Sequence, residues 1–162
     1  MRRVWISLVL IIALAITAWP QQVHKDKRTS YAIGALPDSW KPIKIKDADF
    51  AYFRPDGGVS ISVNSTCGIN GSVPLQALTA HLMVDMTDRK IEPSKEILMD
   101  GRAALETVMA AKLDGAEVKM DLRVVKIESC VYDFTYVAPP DSYGKGFDDF
   151  EAMVAGFHAD RK

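Results

Sequence analysis

Three histidines are the first residues to consider for catalysis or metal binding, because imidazole serves both purposes near neutral pH. His24 lies in a polar segment, His81 within a predicted helix and His158 near the end of the chain. Zinc motifs place their ligands in pairs separated by roughly two to five residues, and no such pair occurs here. We therefore expect His81 to be a partly exposed helix residue and not a metal ligand or a catalyst.

The densest group of acidic residues is Asp148, Asp149 and Glu151. It lacks the loop spacing of a calcium-binding EF-hand. Its position in the first turns of a predicted helix is explained by the favourable interaction of carboxylates with the helix dipole. The glycines at 57–58 and 68–71 do not follow the pattern of a phosphate-binding loop. The sequence thus predicts no catalytic residue, no cofactor and no metal site.

The chain has two cysteines, Cys67 and Cys130, both near the ends of predicted strands. Neither has a neighbouring histidine or a second cysteine two residues away, so the sequence gives little support for thiol catalysis. An even number of cysteines in an oxidising compartment favours a disulfide. The alternative is two buried free thiols that act as small apolar side chains.

The composition is that of one globular domain. The chain has 162 residues, with 25% charged and 48% apolar, which is enough for a single hydrophobic core. Twenty basic residues are balanced by 21 acidic residues, and the formal net charge is −1. Because there is no basic surplus, nucleic acids are not expected as partners.

Residues 1–20 have the pattern of an export signal. Arg2 and Arg3 precede an apolar run at 4–19, and small residues follow towards its end. Two interpretations remain: an uncleaved helix that anchors the domain in the inner membrane, or a cleaved signal that releases a soluble periplasmic protein. Trp19 suits a membrane interface and favours the anchor. In both cases the domain is exported. No cysteine follows the run, which excludes lipid attachment there.

The central part of the exported chain is predicted to be a three-stranded meander at 103–113, 117–127 and 130–137. In the second strand, Val118, Met120, Leu122 and Val124 alternate with polar residues, as expected for a strand with one buried face. Turns are expected at Asp114–Gly115 and at Glu128–Ser129, because glycine accepts the positive φ of a tight hairpin. The polar partners, Lys119, Asp121 and Arg123, are predicted to form an exposed face without convergent chemistry.

Helices and further strands surround this meander in the prediction. Residues 21–30 are polar and aperiodic and are predicted to be a tether, with order beginning at Tyr31 and residues 31–162 forming the domain. Helices are predicted at 72–86, where Ser72 caps the first turn, and at 145–159. The predicted fold class is α+β, an antiparallel β-sheet covered by helices in an α/β/α sandwich and preceded by an N-terminal apolar helix.

Several short motifs together resemble the PsbP-like domain family. The opening strand is followed by Leu36-Pro37 and Trp40, as in the openings of those domains. The likeness continues in a central helix and in Asp100-Gly101 before the long meander. The usual ending is matched by Thr135 to Pro139, then Phe150, then Gly156-Phe157. The resemblance covers roughly residues 31 to 157.

This resemblance implies a sheet sandwiched by helices. It also implies a function, because relatives such as extrinsic photosystem subunits and DcrB-like bacterial envelope lipoproteins are mostly non-catalytic binding, assembly or accessory factors. The first hypothesis is therefore a non-catalytic, membrane-anchored periplasmic accessory protein of an inner-membrane complex. Its expected contact surface is the loop at 138–146, with Pro139, Pro140 and Tyr143.

Two further hypotheses come from other classes. A periplasmic protein that binds a small molecule or lipid between sheet and helix would need an apolar cavity of about 300 Å³ or more. An enzyme would need a polar constellation that only folding brings together, such as Asp133 beside His81 in a cleft.

Overall fold

The computed structural model describes residues 21–160. In this part of the chain there are two α-helices, α1 (Leu75–His81) and α2 (Phe147–Ala155), and a 3-10 segment (Pro140–Lys145). None of the helices in this part is long and apolar enough to cross a membrane. The predicted apolar helix within residues 1–20 lies outside the described residues. The strands are β1 (Gln22–Lys25), β2 (Ser30–Ile33), β3 (Lys41–Pro42), β4 (Phe50–Arg54), β5 (Val59–Cys67), β6 (Met86–Ile91), β7 (Lys95–Met99), β8 (Arg102–Leu113), β9 (Ala116–Ile127), β10 (Cys130–Ala138) and β11 (His158–Ala159).

Eight strands form a central antiparallel sheet in the order β3-β4-β5-β10-β9-β8-β6, with β7 also paired to β8. The meander of β8, β9 and β10 is confirmed, with ends within a residue or so of those predicted. Its first turn places Asp114 at φ 49° and Gly115 at φ 84°. These positive angles are the ones a two-residue hairpin requires. The sequence signal and the backbone therefore agree at the centre of the fold.

The prediction that residues 21–30 form a tether is wrong, because part of this segment is a strand in a second, smaller sheet. Its order is β1-β2-β11, so both β1 and β11 pair with β2. The half-buried side chains of β1 are the polar Gln22 and His24, whereas Val23 is 64% exposed. Hydropathy alternation identifies strands whose apolar residues face inward. In β1 the polar residues face inward, so hydropathy alternation does not predict this strand.

One face of the central sheet, called here the aromatic face, is covered by the small sheet and by α2. Tyr31 from β2 meets Tyr132 from β10 with ring centroids 5.2 Å apart. Gly34 and Gly156 approach so closely that a Cβ on Gly156 would lie 2.6 Å from the Cα of Gly34. Rings in such tilted and edge-to-face pairs add stability beyond their buried area. The buried residues of this layer include Ile33, Trp40, Ile61, Phe134, Tyr136, Phe150, Met153 and Phe157.

The opposite face, called here the helix face, is covered by α1 over β8 and β9. A smaller core there consists of Met83, Met109, Ala111, Val118, Met120 and Leu122. Because α1 is short, it leaves the part of this face over β5 and β10 only partly covered.

Both helices are shorter than predicted. The first was predicted at 72–86 but begins after Pro74, and the Ser72 hydroxyl donates to Asn70 Oδ1 and does not cap the helix. The second was predicted at 145–159 but ends at Ala155, with Gly156 as its C-cap, and the chain then forms β11. Long-range strand pairing therefore takes residues that local periodicity assigned to helices, as tertiary context commonly does.

Candidate functional site

A cavity of about 330 Å³ lies between α1 and the sheet, over β5, β9 and β10. This volume is at the lower end of the range for small-molecule sites. It is also the size that the ligand-binding hypothesis requires, although the lining is partly polar and not purely apolar. The lining residues are Asn64, Thr66, Ile69, Leu78, His81, Leu82, Val124, Val131 and Asp133.

The wall formed by residues 68–73 is held at both ends. The backbone N–H groups of Gly68 and Ile69 donate to the carbonyl of Ser129 at 2.9 and 3.2 Å. At the other end, Lys126 Nζ donates to the carbonyls of Gly71 and Val73 at 2.7 and 2.6 Å. Because this segment leads into α1, these contacts position both the loop and the helix that cover the cavity.

Asp133 supplies the negative charge of the cavity. It lies directly opposite Asn64 on β5, and the Asn64 side chain hydrogen-bonds to it. Burial, with a smaller contribution from the negative charge of Asp49, raises the pKa of Asp133 to about 7, and the Asn64 hydrogen bond only partly opposes this. Asp133 can therefore exist as an acid or as a carboxylate near neutral pH.

His81 lines the same cavity from α1, so the structure brings together the pair that the enzyme hypothesis named. No serine, cysteine or lysine side chain belongs to the lining of this cavity. The groups present can accept or donate hydrogen bonds to a bound molecule and can pair with its charge.

A second polar group, the ionic cluster of Glu106, Asp121, Arg123 and Glu151, lies on the aromatic face. Arg123 donates from Nε and Nη2 to the two carboxylate oxygens of Asp121, at 3.1 Å each. It also donates to Glu151 on α2, and its Nη2 lies 3.6 Å from Glu106. The guanidinium stacks on the Phe150 ring, 5.0 Å from its centroid. The cluster thus joins β8, β9 and α2.

Charge in this cluster is unbalanced, because three carboxylates share one guanidinium. Burial raises the pKa of Asp121 to about 6, and neighbouring Glu106 adds to this effect, whereas Arg123 opposes it. Although burial disfavours a cation, the hydrogen bonds that Arg123 donates to Glu151 and Asp121 hold its pKa above the ordinary value. Arg123 therefore stays charged and compensates the buried carboxylates.

The prediction that Lys119, Asp121 and Arg123 form an exposed face is wrong, since Lys119 is half-buried and the other two are buried. Asp121 is 0% exposed and Arg123 is 5% exposed. The alternation of β9 is real, but both of its sides are covered. The apolar side lies under α1, and the polar side lies under α2 and the 3-10 segment. A period of two shows that a strand has two different faces, and it does not show which faces are covered.

Besides interacting with the helix dipole, two acidic residues of α2 bond to other parts of the domain. Asp149 Oδ2 accepts hydrogen bonds from Trp40 Nε1 at 2.9 Å and from Arg54 Nη1 at 3.0 Å. Glu151 pairs with Arg123. The helix is thereby tied to the loop after β2 and to the central sheet. Among residues 21–160, no group of three histidine, cysteine or acidic side chains is placed to hold a metal ion.

The two cysteines are joined. Cys67 on β5 and Cys130 on β10 are directly opposite in the strand register and form a disulfide with Cα atoms 4.0 Å apart. Of the two alternatives left by the sequence, the structure contains the bridge. It closes the end of the β5–β10 pair next to Thr66 and Val131, both of which line the cavity.

The predicted contact loop at 138–146 is largely ordered helix. Pro139 and Pro140 are exposed, but Tyr143 is half-buried and packs on Tyr136 and Phe147, with ring centroids 5.3 and 5.1 Å away. Lys119 Nζ lies 4.5 Å above the Tyr143 ring. The two prolines are therefore available to a partner, whereas Tyr143 is mainly a packing residue.

His24 lies in a network that the sequence did not indicate. Its Nε2 is 3.6 Å from Asp49 Oδ1. The other oxygen of Asp49 accepts hydrogen bonds from the hydroxyls of Tyr31 at 2.7 Å and Ser65 at 2.6 Å. Because the serine donates to the aspartate and not to the histidine, the three side chains do not form a catalytic triad. The network instead fastens β1 and β2 to the central sheet.

A wider groove of about 610 Å³ runs along the edge strand β6 and includes Pro140. It is lined largely by long charged side chains, and Asp88 and Lys112 pair across it at 2.8 Å. Because it is open and mostly charged, it lacks the enclosed apolar walls that are typical of small-molecule sites.

Comparison with known proteins identifies the fold. No protein-family model matches the sequence, and no curated protein matches it. Among solved structures, cyanobacterial PsbP (CyanoP) from Synechocystis sp. PCC 6803 is 11% identical, with 90% of this chain and 96% of that chain covered and a TM-score of 0.57. LpqN of Mycobacterium tuberculosis, described as involved in cell envelope biogenesis, is 13% identical, with 88% and 91% covered and a TM-score of 0.59.

The Ran-binding protein Mog1p of Saccharomyces cerevisiae is also similar. It is 12% identical, with 86% of this chain and 95% of that chain covered and a TM-score of 0.57. At these identities the likeness concerns the fold alone. The predicted PsbP-like fold is confirmed.

Proposed function

We propose that this PsbP-like domain is a non-catalytic binding protein of the cell envelope that holds a small ligand in the cavity beneath α1. The observation that carries the proposal is the composition of that cavity. Its walls include Leu78, Leu82 and Val124, whereas Asp133 and Asn64 provide a polar position on the sheet. Small-molecule sites typically combine apolar walls with a few placed polar groups in this way.

The envelope location is part of the proposal. Arg2, Arg3 and the apolar run at 4–19 support export, whether that run anchors the protein in the inner membrane or is removed. The Cys67–Cys130 disulfide supports it independently, since such bonds persist in oxidising compartments. The similarity to LpqN, a protein described as involved in cell envelope biogenesis, agrees with this location.

Replacing Leu78 by Trp is expected to fill the cavity and abolish ligand binding. An indole in place of the Leu78 side chain occupies space beneath α1 that the ligand would need, whereas Thr79 on the same helix stays buried and Met83, just after the helix, still packs in the core. The measurement is a ligand-observed NMR screen of small amphipathic fragments against the exported domain. Fragments that bind the wild type should lose at least about 30-fold in affinity with Leu78→Trp, equal to roughly 2 kcal/mol.

Ala77→Trp is the matched control, because Ala77 is on the same helix, is exposed and does not line the cavity. It should bind the same fragments as the wild type. The proposed function fails if no fragment binds the wild type, or if both tryptophan variants bind equally well.

An accessory role at a membrane complex is a second candidate, favoured by the exposed Pro139 and Pro140 beside the groove along β6. Mog1p, described as a Ran-binding protein, is a protein of this fold that binds another protein. The partner here would be a membrane protein at the inner membrane. Mild crosslinking and purification from detergent should then recover the full-length chain with that partner, and Pro140→Lys should reduce the yield. Recovery of the chain alone would exclude this role.

A further inference from the structure

Asp133 is the only acidic side chain among the residues that line the cavity. Its protein hydrogen-bond partner is Asn64, a neutral side chain, and no described residue forms an ion pair with it. A half-buried carboxylate without a cation is costly, and the cost is removed either by protonation or by a cationic group that pairs with the carboxylate. The cavity therefore contains an unmet electrostatic requirement at a defined position.

The charged groups around Asp133 do not meet that requirement. Lys126 on β9 faces the same side of the sheet, but its ammonium donates to the carbonyls of Gly71 and Val73. On the other side of the sheet, Asp49 adds negative charge while it accepts bonds from Tyr31 and Ser65.

From the helix side, the titratable group that faces the cavity is His81. The strand residues directly beside Asp133 are uncharged, Asn64 on β5 and Val124 on β9. The electrostatic character of the cavity in its carboxylate form is therefore negative.

Resting on the proposed function of this cavity, we infer that its ligand is a small amphipathic amine, whose ammonium group pairs with Asp133 and whose apolar part contacts Leu78, Leu82 and Val124. A free carboxylate ligand would place two acids together. A strongly hydrated polyamine would lose its water against apolar walls without enough partners. The volume of about 330 Å³ limits the ligand to a small molecule.

The inference has a pH signature. The pKa of Asp133 is raised by burial and by Asp49 to about 7, so the carboxylate is a minor form at pH 6 and the main form at pH 8. An alkylamine stays protonated over this range, as lysine does. It binds the carboxylate form, so its affinity should increase about tenfold from pH 6 to pH 8. A carboxylic acid ligand would show the opposite trend.

The test compares hexylamine, hexanol and hexanoate, which share one chain length and differ in the head group. Dissociation constants are measured by NMR titration at pH 6 and pH 8. At pH 8, hexylamine should bind the wild type at least about tenfold more tightly than hexanol, as expected for one added charge-assisted hydrogen bond. Asp133→Asn should remove both the preference for hexylamine over hexanol and the pH dependence of hexylamine binding. Asp133→Asn removes a buried charge, so it should remain folded.

His81→Gln distinguishes the contribution of His81, the second titratable group of the cavity, from that of Asp133. If Asp133 carries the effect, His81→Gln keeps both the preference for the amine and the increase from pH 6 to pH 8. Equal binding of hexylamine and hexanol, or tighter binding of hexanoate, would overturn the inference while leaving the cavity as a binding site. No binding of any of the three overturns it as well. If in addition no fragment distinguishes Leu78→Trp from Ala77→Trp, the proposed function itself fails.

Discussion

Arg123→Met is expected to lower the free energy of unfolding by about 3 to 5 kcal/mol, the usual effect of leaving a buried ionic partner uncompensated. Asp121 is fully buried, and Arg123 bonds both of its carboxylate oxygens. The same guanidinium reaches Glu151 on α2, so its loss also removes one of the links between that helix and the sheet. Urea denaturation at pH 7, followed by circular dichroism, measures the change in the unfolding free energy.

The loss should depend on pH in a definite direction. Without Arg123, the pKa of Asp121 in the folded protein rises further above its unfolded value, because burial is no longer opposed. A folded state with a raised pKa binds more protons than the unfolded state, so the variant becomes less stable as pH rises. The variant should therefore recover part of its stability at pH 5. Arg102→Met, at an exposed position on β8, should change stability by no more than about 0.5 kcal/mol.

A different result would change the interpretation of this cluster. If Arg123→Met has wild-type stability at pH 7, then Asp121 is already protonated there and the ionic cluster does not hold α2 in place. The double variant Arg123→Met with Asp121→Asn distinguishes these cases, since it removes the buried charge together with its partner and should recover most of the lost stability.

Replacing both Cys67 and Cys130 by alanine is expected to cost about 4 kcal/mol. The bridge joins residues 63 positions apart, and a closed loop of this length removes that much conformational entropy from the unfolded chain in the usual treatment. Urea denaturation of the double variant and of the wild type, each with and without a reducing agent, measures the effect.

The reduced wild type provides the matched comparison, because it keeps both side chains and loses only the covalent bond. It should unfold near the urea concentration that unfolds the double variant. If the reducing agent leaves the wild-type transition unchanged while the unfolded chain has been reduced, the bridge contributes nothing to stability.

The central sheet could be predicted because local signals and long-range pairing agree there. The alternation of Val118, Met120 and Leu122 and the turn at Asp114–Gly115 both act within a few residues of one hairpin. The ends of the predicted helices were wrong because local periodicity and long-range strand pairing disagree there. Met86 fits the apolar stripe of the first predicted helix, yet it pairs with Leu113 as the first residue of β6.

The ionic cluster could not be predicted from the chain alone, because its burial depends on contacts between distant segments. Asp121 and Glu151 are 30 positions apart, and nothing in the alternation around Asp121 indicates that α2 packs above it. A buried charge on a strand looks the same in sequence as an exposed one. Burial of β1 through Gln22 and His24 was missed for the same reason.

The sequence could suggest that a cavity lies between the sheet and a helix, but it could not show which residues line that cavity. A space between sheet and helix was expected, and Asp133 with His81 was named as a pair that folding could bring together. Which sheet residues line that space depends on how far α1 extends. Its short span leaves Asn64, Thr66 and Val131 uncovered by the helix, and no local signal in the sequence specifies that length.

The small sheet also gives the domain two distinct sides. β1 and β11, the first and last strands of the described chain, both pair with β2 and lie over the aromatic face. The cavity opens on the helix face, on the opposite side of the central sheet. A tag, a surface linkage or a natural attachment introduced before Gln21 or after Asp160 therefore joins the domain on its aromatic face. Immobilised through either end, the domain presents its helix face outward, so surface-based affinity measurements can use both orientations as replicates of one another.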